Sequence, residues 1–514
     1  MRDAGRPEAA AARERRAGVV SSTRGGKHTL ASGTLETRPL LVGGERVMAR
    51  SGETLEATNP ATGERIALIP RGDTADVDAA VEAARAAFPE WSRTHPLDRA
   101  ALLTRLADAI EARGDELAGL DTLDNGSPLR EMQRDIGTAT TQVRYFAGLA
   151  LQLRGQTIPV GEGRLDYTLR QPFGVVARIV PFNHPVMFAA TKIAAPLLAG
   201  NTVVLKPSEH TSLSALALAD DLAAIFPPGV VNVVTGTGAE AGDALVRHPG
   251  VRRIAFIGSV GTGMAIQRRA AEVGVKTVTL ELGGKNPIVV FPDADIGEAI
   301  EGALRGMAFT WQGQSCGSTS RLLLHEDIHD DFIAVLSERI ESLRPGPPLS
   351  PDSDTGAIVN DVQMQKVLRY IQIGREGGAR LAAGGERMTG GELGRGLFVR
   401  PALFTGVHPG SRLAQEEIFG PVLAAMRFST YDEALMIANG VSYGLTTSVF
   451  TRDLETAHSF ARDVEAGYVW VNDAARHFPG VPFGGVKQSG VGREEDIGEL
   501  ESYTELKNVH IRFA

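Results

Sequence analysis

The chain is predicted to be an α/β protein organised on parallel sheet, and three observations lead there. Short apolar runs rich in Val, Ile and Leu alternate with alanine-rich stretches of helical length. Each run closes on a glycine, a proline or a polar residue. Glycine is abundant, at 59 of 514 residues, as tight connections between strands and helices require. A chain of this length predicts about three domains.

Taken in order, 40–45 reads as a strand and turn, and Asn59-Pro60-Ala61-Thr62-Gly63-Glu64 as a turn between strands. Segments 73–88, 98–113 and 131–151 carry apolar residues at helical spacing and read as packing helices without a direct functional role. A strand is expected at 165–170. The first full alternation follows: a buried strand at 175–180 ends in Pro181-Phe182-Asn183-His184-Pro185, and a helix then runs to about 198 before Gly200-Asn201 stops it. Strand 202–206 ends at Lys206, with Pro207-Ser208-Glu209 beyond it. Helix 212–225, strand 230–234, a helix after Gly242 and strand 253–257 continue the rhythm. Such connections place ligands at the carboxyl ends of the strands, where the polar residues named here fall.

Two glycine patterns stand in this region. Gly236-Thr237-Gly238 with Gly242 matches a dinucleotide fingerprint only loosely and serves equally as a turn. Phe256-Ile257-Gly258-Ser259-Val260-Gly261-Thr262-Gly263 leaves a strand and opens a helix. There Gly258 lets backbone amides approach an anion, and the Ser259 hydroxyl and the helix N-terminus hold phosphate oxygens. The same arrangement also makes a plain strand-to-helix turn. Strand 277–280 then delivers Glu281, followed by the paired glycines of Leu282-Gly283-Gly284-Lys285-Asn286-Pro287.

Bulk properties exclude several classes. An apolar fraction of 43% is globular rather than disordered. A net charge of −9 gives no reason to expect nucleic acid as a partner. No apolar run approaches the ~18–20 residues that span a bilayer, and no metal-ligand cluster is apparent. Residues 1–37 are rich in Ala, Arg and Gly, lack an apolar h-region, and are expected to be a disordered tail. The only cysteine, Cys316, fits a reducing compartment, and a cytoplasmic location is expected. An isolated cysteine is most often inert and buried. This one lies in Gln312-Gly313-Gln314-Ser315-Cys316-Gly317-Ser318, where small neighbours leave room for an electrophile.

The motifs also follow one another in a telling order. Pro181-Phe182-Asn183, Lys206-Pro207-Ser208-Glu209, Phe256-Ile257-Gly258-Ser259, Glu281-Leu282-Gly283-Gly284-Lys285 and Gly313-Gln314-Ser315-Cys316 come first. Glu416-Glu417-Ile418-Phe419-Gly420-Pro421 and Pro482-Phe483-Gly484-Gly485-Val486-Lys487-Gln488-Ser489-Gly490 complete the set. From about Pro39 to the C-terminus the chain resembles the NAD(P)-dependent aldehyde dehydrogenase superfamily.

That resemblance implies roles for particular residues. Cys316 is the expected nucleophile on the aldehyde carbonyl, the Asn183 amide and the Cys316 N–H the oxyanion hole, and Glu281 the base for the water that hydrolyses the resulting thioester. Ile179, Val180, Pro181, Phe182, Lys206, Ser208, Glu209, Gly238, Gly242, Phe256, Gly258, Ser259, Leu282, Glu417 and Phe419 are the expected cofactor-binding residues. Lys206 and Glu209 would take the adenosine ribose, Ser259 the pyrophosphate, and Glu417 and Phe419 the nicotinamide end. A carboxylate at Glu209 repels a 2′-phosphate and favours NAD over NADP, although Lys206 leaves NADP open.

For the substrate pocket the residues are His184, Met187, Thr191, Ser315, Arg476, His477 and Phe483. Relatives often carry tryptophan at the place of Phe182 and aromatics at those of His184, Thr191 and His477. The basic mouth formed by His184, Arg476 and His477 points to a polar or anionic aldehyde, such as a semialdehyde carboxylate or a hydroxylated aromatic aldehyde.

The resemblance further implies a Rossmann-like parallel-sheet coenzyme domain at 38–150 and 173–282 and an α/β catalytic domain at 283–497. A small β oligomerisation arm at 151–172 and 498–514 would build a homodimer or homotetramer. Two rival activities share the scaffold. A CoA-acylating dehydrogenase is disfavoured because such relatives typically lack the base at Glu281, and a silent binding protein is disfavoured by the intact Cys316, Glu281 and Asn183.

Overall fold

The computed structural model describes residues 36–513, so the expected tail lies outside the described residues except for Glu36 and Thr37, the latter bridging to Leu68. An eight-stranded sheet runs in the order Glu45–Val47, Leu40–Val42, Val231–Val233, Thr202–Lys206, Val175–Ile179, Val251–Gly258, Thr277–Leu282, Gly490–Val491. Its five central strands are mutually parallel and its outer strands antiparallel. Strands Val175–Ile179 and Thr202–Lys206 are buried at every residue, which explains their unbroken apolar character up to Lys206.

A seven-stranded sheet follows, in the order Arg380–Ala383, Ala402–Thr405, Val422–Phe428, Arg321–His325, Pro287–Val290, Thr446–Phe450, Tyr468–Val471. It is parallel except at its first pair. A three-stranded antiparallel sheet joins Thr504–Arg512 to Arg164–Pro172 and Thr157–Ile158. Among the described residues no helix is long and apolar enough to cross a membrane.

Register determines which residues meet. Ile179 lies beside Lys206 on one side and Phe256 on the other, Phe256 beside Leu280, and Ile257 beside Glu281. The carboxyl ends of four neighbouring strands therefore present their terminal residues along one rim.

Most expected elements are present, with displaced ends. The helix expected at 73–88 runs from Thr74 to Trp91, capped by Asp73, and continues past Pro89. A proline near a helix end loses one intrahelical bond and does not stop a turn held by the buried Trp91. The sequence reading did not anticipate helix Gly114–Asn125, which is weakly amphipathic and ends at Gly126 in the left-handed conformation (φ 87°). The helix expected after Gly242 is the short helix Asp243–Arg247, preceded by one wide turn over Gly238–Gly242.

Candidate active site

Cys316 sits on an irregular loop held by its neighbours. Gly313 has φ 65°, and a Cβ there would lie 2.3 Å from the Gly420 carbonyl oxygen, so only glycine fits. Asn286 Nδ2 donates to the carbonyls of Cys316 (2.7 Å) and Ser318 (3.0 Å), while its Oδ1 accepts from Thr446 N–H (3.0 Å). With its carbonyl fixed this way, Cys316 keeps a backbone N–H that meets no acceptor among the described residues. The thiol is pushed up to about 12, first by burial and then by the charges of Glu417, Glu281 and Glu495. At rest it is a thiol, and it becomes a nucleophile only by handing its proton to a base.

Asn183 is delivered by the loop between strand Val175–Ile179 and helix Pro185–Leu198, whose first residue is a proline. Asn125 Nδ2 donates to the Phe182 carbonyl (2.7 Å) and more weakly to that of Asn183 (3.4 Å), fixing the loop. The Asn183 side chain is 3% exposed, and its Oδ1 has no hydrogen-bond partner.

Glu281 is equally unsatisfied: it is 6% exposed and neither carboxylate oxygen has a partner. Burial, reinforced by the charge of Glu494 and opposed by Lys192 and Arg493, raises its pKa well above the ordinary carboxylate range. A Cβ at Gly484 would stand 2.7 Å from Glu281 Oε1, so the glycines after Phe483 leave space for this carboxylate. Ser489 anchors the same strand end, its carbonyl accepting from Leu282 N–H (2.9 Å) and its hydroxyl donating to the Gly283 carbonyl (2.8 Å). Buried polar groups without partners are rare and point to a reaction or an absent ligand. The loop that follows Glu281 leads to Asn286, whose Nδ2 holds the Cys316 carbonyl (2.7 Å), and the Glu281 charge is among those that push the thiol up.

The aldehyde dehydrogenase family model matches residues 47–509. The chain belongs to the aldehyde dehydrogenase family. It is 46% identical to aldehyde dehydrogenase tropH of Talaromyces stipitatus over 89% of this chain and 90% of that one. It is 43% identical to a hydroxyisobutyraldehyde dehydrogenase of Mycolicibacterium austroafricanum over 92% and 94% of the two chains. Among solved structures, an NAD+ complex of a Bacillus cereus aldehyde dehydrogenase superposes with a TM-score of 0.91 at 40% identity, covering 93% of this chain and 97% of that one.

Within this aldehyde dehydrogenase most of the expected cofactor residues lie on or just beyond the strands of the eight-stranded sheet, whereas Glu417 and Phe419 precede strand Val422–Phe428 of the seven-stranded sheet. Lys206 Nζ pairs with Glu209 (3.3 Å) and donates to the Pro207 carbonyl (3.0 Å); Glu209 also accepts from Gly238 N–H (3.3 Å). Burial works against charge on Glu209, but Lys206 overcomes it and lowers the pKa. A Cβ at Gly242 would touch the Lys206 stem at 3.7 Å, and Ser208 turns inward to accept from His210 N–H (3.3 Å). Ser259 caps helix Val260–Ala271 through Thr262 N–H (3.3 Å), and Leu282 fills the space above Gly263. Gly258 adjoins the Phe256 ring, and Val180 N–H donates to the Lys206 carbonyl (3.1 Å). Glu417 accepts from Gly284 N–H (3.2 Å), and the rings of Phe182 and Phe419 meet edge to face at 5.5 Å. Phe419 is held at φ 59°.

Of the expected substrate residues, His477 and Phe483 pack together (4.7 Å between ring centroids) with Tyr468 and Trp470 around them. His184 contacts Asp135 (2.8 Å) and the rings of Phe188 and Trp311. Burial opposes charge on His184, yet Asp135, Asp121 and Glu131 together raise its pKa. Met187 and Ser315 are half-buried. Thr191 is buried, its hydroxyl donating to the Met187 carbonyl (2.8 Å). The Arg476 guanidinium pairs with Asp473 (3.3 Å), and its side chain is 59% exposed. An exposed pair of this kind contributes little to stability.

Several contributors were missed from sequence. Lys366 acts on Glu417 from helix Asp361–Glu376, far along the chain. Glu494 bonds the buried Arg178 and Lys192, each at 2.8 Å, beside Glu281. Asn125 lies in Leu123-Asp124-Asn125-Gly126, whose polar pair before a glycine was the available signal.

Proposed function

We propose that this enzyme oxidises an aldehyde to its carboxylic acid with NAD through Cys316, Asn183 and Glu281. The observation that carries the reading is that both Glu281 carboxylate oxygens and the Asn183 Oδ1 are buried without partners, in a chain whose single cysteine is free. Glu281 accepts the thiol proton, and Sγ then bonds the carbonyl carbon as the C=O π electrons move to oxygen. The Asn183 amide and the Cys316 N–H are the donors that hold that alkoxide. NAD, when bound, supplies the hydride acceptor, so that the collapsing alkoxide leaves a thioester on Cys316. Once Glu281 has released its proton it draws a proton from water, whose oxygen displaces the sulfur and frees the acid.

The fit of the cofactor rests on this chain's own groups. A Lys206–Glu209 pair at a strand end with Lys206 buried and Glu209 half-buried, a capped helix start at Ser259 and a Glu417 carboxylate left with one backbone donor suit two riboses and the pyrophosphate between them. NAD complexes are known for similar enzymes. NAD is preferred over NADP because Glu209 repels a 2′-phosphate. An absorbance screen for reduced cofactor over varied aldehydes, with each nucleotide, tests both statements. Replacing Asn183 with alanine is expected to lower kcat by about 10²–10³-fold, the usual loss of an oxyanion donor, while NAD affinity by fluorescence titration persists. A kcat within about threefold of the parent enzyme would remove Asn183 from the mechanism.

The eight-stranded sheet with its helices is proposed as the coenzyme domain, the seven-stranded sheet as the catalytic domain and the three-stranded sheet as an arm. That arm presents Leu169, Leu506, Ile511 and Phe513 to solvent along with an open strand edge. A homodimer or homotetramer is the expected assembly, and a light-scattering mass of one chain would refute it. A cytoplasmic location is part of the same proposal.

A further inference from the structure

We propose that Ser127 is a positioning residue of the reaction: its hydroxyl bridges the loop that carries Asn183 to the loop that carries Cys316, and so holds the oxyanion amide and the nucleophile in register. The inference rests on the aldehyde-oxidising reading above and adds to it the group that aligns its two halves.

The bridge is a chain of side chains shut off from water. Asn125, Ser127, Gln312 and Gln314 are each at most 1% exposed, so their polar atoms depend on partners within the protein. Asn125 Nδ2 reaches the Phe182 carbonyl (2.7 Å) and more weakly that of Asn183 (3.4 Å). Its Oδ1 accepts from Ser127 N–H (3.1 Å) and also meets the Ser127 hydroxyl. That hydroxyl lies 3.1 Å from Gln312 Oε1. A hydroxyl has a single proton to give, and since Ser127 N–H already serves Asn125, the proton is free for Gln312. Gln312 Oε1 accepts in addition from Gln314 Nε2 (3.2 Å), and Gln312 Nε2 donates to the Thr310 carbonyl (3.0 Å). Gln314 stands two residues before Cys316. None of these side chains leaves a buried polar atom without a partner, in contrast to Asn183 and Glu281. The reacting groups are open and their supports are closed.

The backbone is shaped to the same end. Gly126 has φ 87°, and a Cβ there would lie 2.8 Å from the Ala357 carbonyl oxygen, so the turn that presents Ser127 is pressed against residue 357. Ala357 N–H donates to the Gly126 carbonyl (2.9 Å), and Val359 N–H to Gln314 Oε1 (3.2 Å), which braces both partners from behind. Gln312 has φ 54°, a conformation that a side-chain-bearing residue keeps only where its surroundings impose it. Among the described residues, the Ser127–Gln312 bond is the one hydrogen bond that joins turn 125–127 to loop 312–316. An oxyanion donor must stand where charge develops once sulfur has bonded the carbonyl carbon, and a misplacement of about 1 Å can cost about 10²-fold in rate. Alanine at 127 leaves Asn125 Oδ1 its backbone donor and Gln312 Oε1 its bond from Gln314, so each loop keeps its own support and loses the link.

The test compares the full-length enzyme with Ser127→Ala, Asn183→Ala and the double variant, using propanal and phenylacetaldehyde with NAD. Ser127→Ala is expected to lower kcat/KM for both aldehydes about tenfold while the KM for NAD stays within about twofold. In the Asn183→Ala background the same substitution should cost less than about twofold, because no amide is left to misplace. Alkylation of Cys316 by iodoacetamide forms no oxyanion, so its rate should stay within about threefold of the parent's. Amide exchange read by mass spectrometry should quicken at least about threefold in both 182–186 and 312–316. A kcat/KM within about twofold of the parent's, or a full loss that persists without Asn183, would overturn the inference. So would alkylation that slows as far as kcat/KM does, or faster exchange in only one of the two segments. Should Ser127→Ala not fold, Gln312→Met removes the same bond from the other side and is held to the same outcomes. No reduced cofactor from the parent with either aldehyde would count against the catalytic reading, with the exchange of the two segments still judging the bridge.

Discussion

Exchanging Cys316 for alanine is expected to abolish aldehyde-dependent NADH formation, with a loss in kcat of about 10⁴-fold or more. The size follows from there being no substitute nucleophile: Cys316 is the only cysteine of the chain. The hydroxyls of Ser315 and Ser318 flank it, but Ser318 donates to the Gly313 carbonyl (3.4 Å), and an alcohol is far harder to deprotonate than a thiol. NAD affinity should survive, because none of the groups around the Lys206–Glu209 pair touches the sulfur. The measurement is steady-state NADH formation alongside fluorescence titration of the nucleotide. Residual turnover above about one per cent, with mass spectrometry confirming the substitution, would mean that hydride leaves from an intermediate not bound to this residue.

Much of the architecture was legible in the sequence because its determinants are local. Buried parallel strands must be apolar throughout, and 175–180 and 202–206 showed this directly; so did the proline and glycine that punctuate them. Helix Gly114–Asn125 was not legible, since it carries Asp115, Glu116, Asp121 and Asp124 and owes its place to tertiary packing of Leu117 and Ala118. The helix past Pro89 shows the same limit from the other side: a residue that weakens a helix locally is outvoted by the burial of Trp91 two positions on.

The site divides in the same way. Cys316 and Glu281 stand in short motifs with glycines whose steric reason the structure shows, Gly313 against Gly420 and Gly484 against Glu281, while Asn183 stands between Phe182 and His184 at a strand end. The sign of the substrate pocket could not be read so easily. Counting basic residues near the mouth gave Arg476 weight without showing that Asp473 pairs with it. Glu495 lies eighteen positions beyond its partner His477, and the bridge between Phe483 and Glu494 helps to bring them together. Net charge of a pocket depends on pairings in space, which a linear count cannot supply.

Replacing Glu281 with glutamine should separate the two proton transfers assigned to this carboxylate. Near neutral pH kcat is expected to fall by about 10²–10⁴-fold, since the amide can neither take the thiol proton nor activate water. The pH dependence distinguishes the steps. The thiol ionises on its own only as pH climbs toward its value of about 12, so acylation in the variant should recover steadily with alkalinity. Hydrolysis of the thioester lacks its base at every pH and should not recover in step. Rapid mixing at high pH is therefore expected to show a burst of about one NADH per active site followed by slow turnover, where the parent enzyme shows none. In the parent, Glu281 is protonated below its raised pKa and active as a base above it, so deacylation should rise with pH through a range well above that of an ordinary carboxylate. A variant with unchanged steady-state rate, or one that gains no burst at any pH, would show that water is activated by a different group, and Glu494 beside it would become the first to examine.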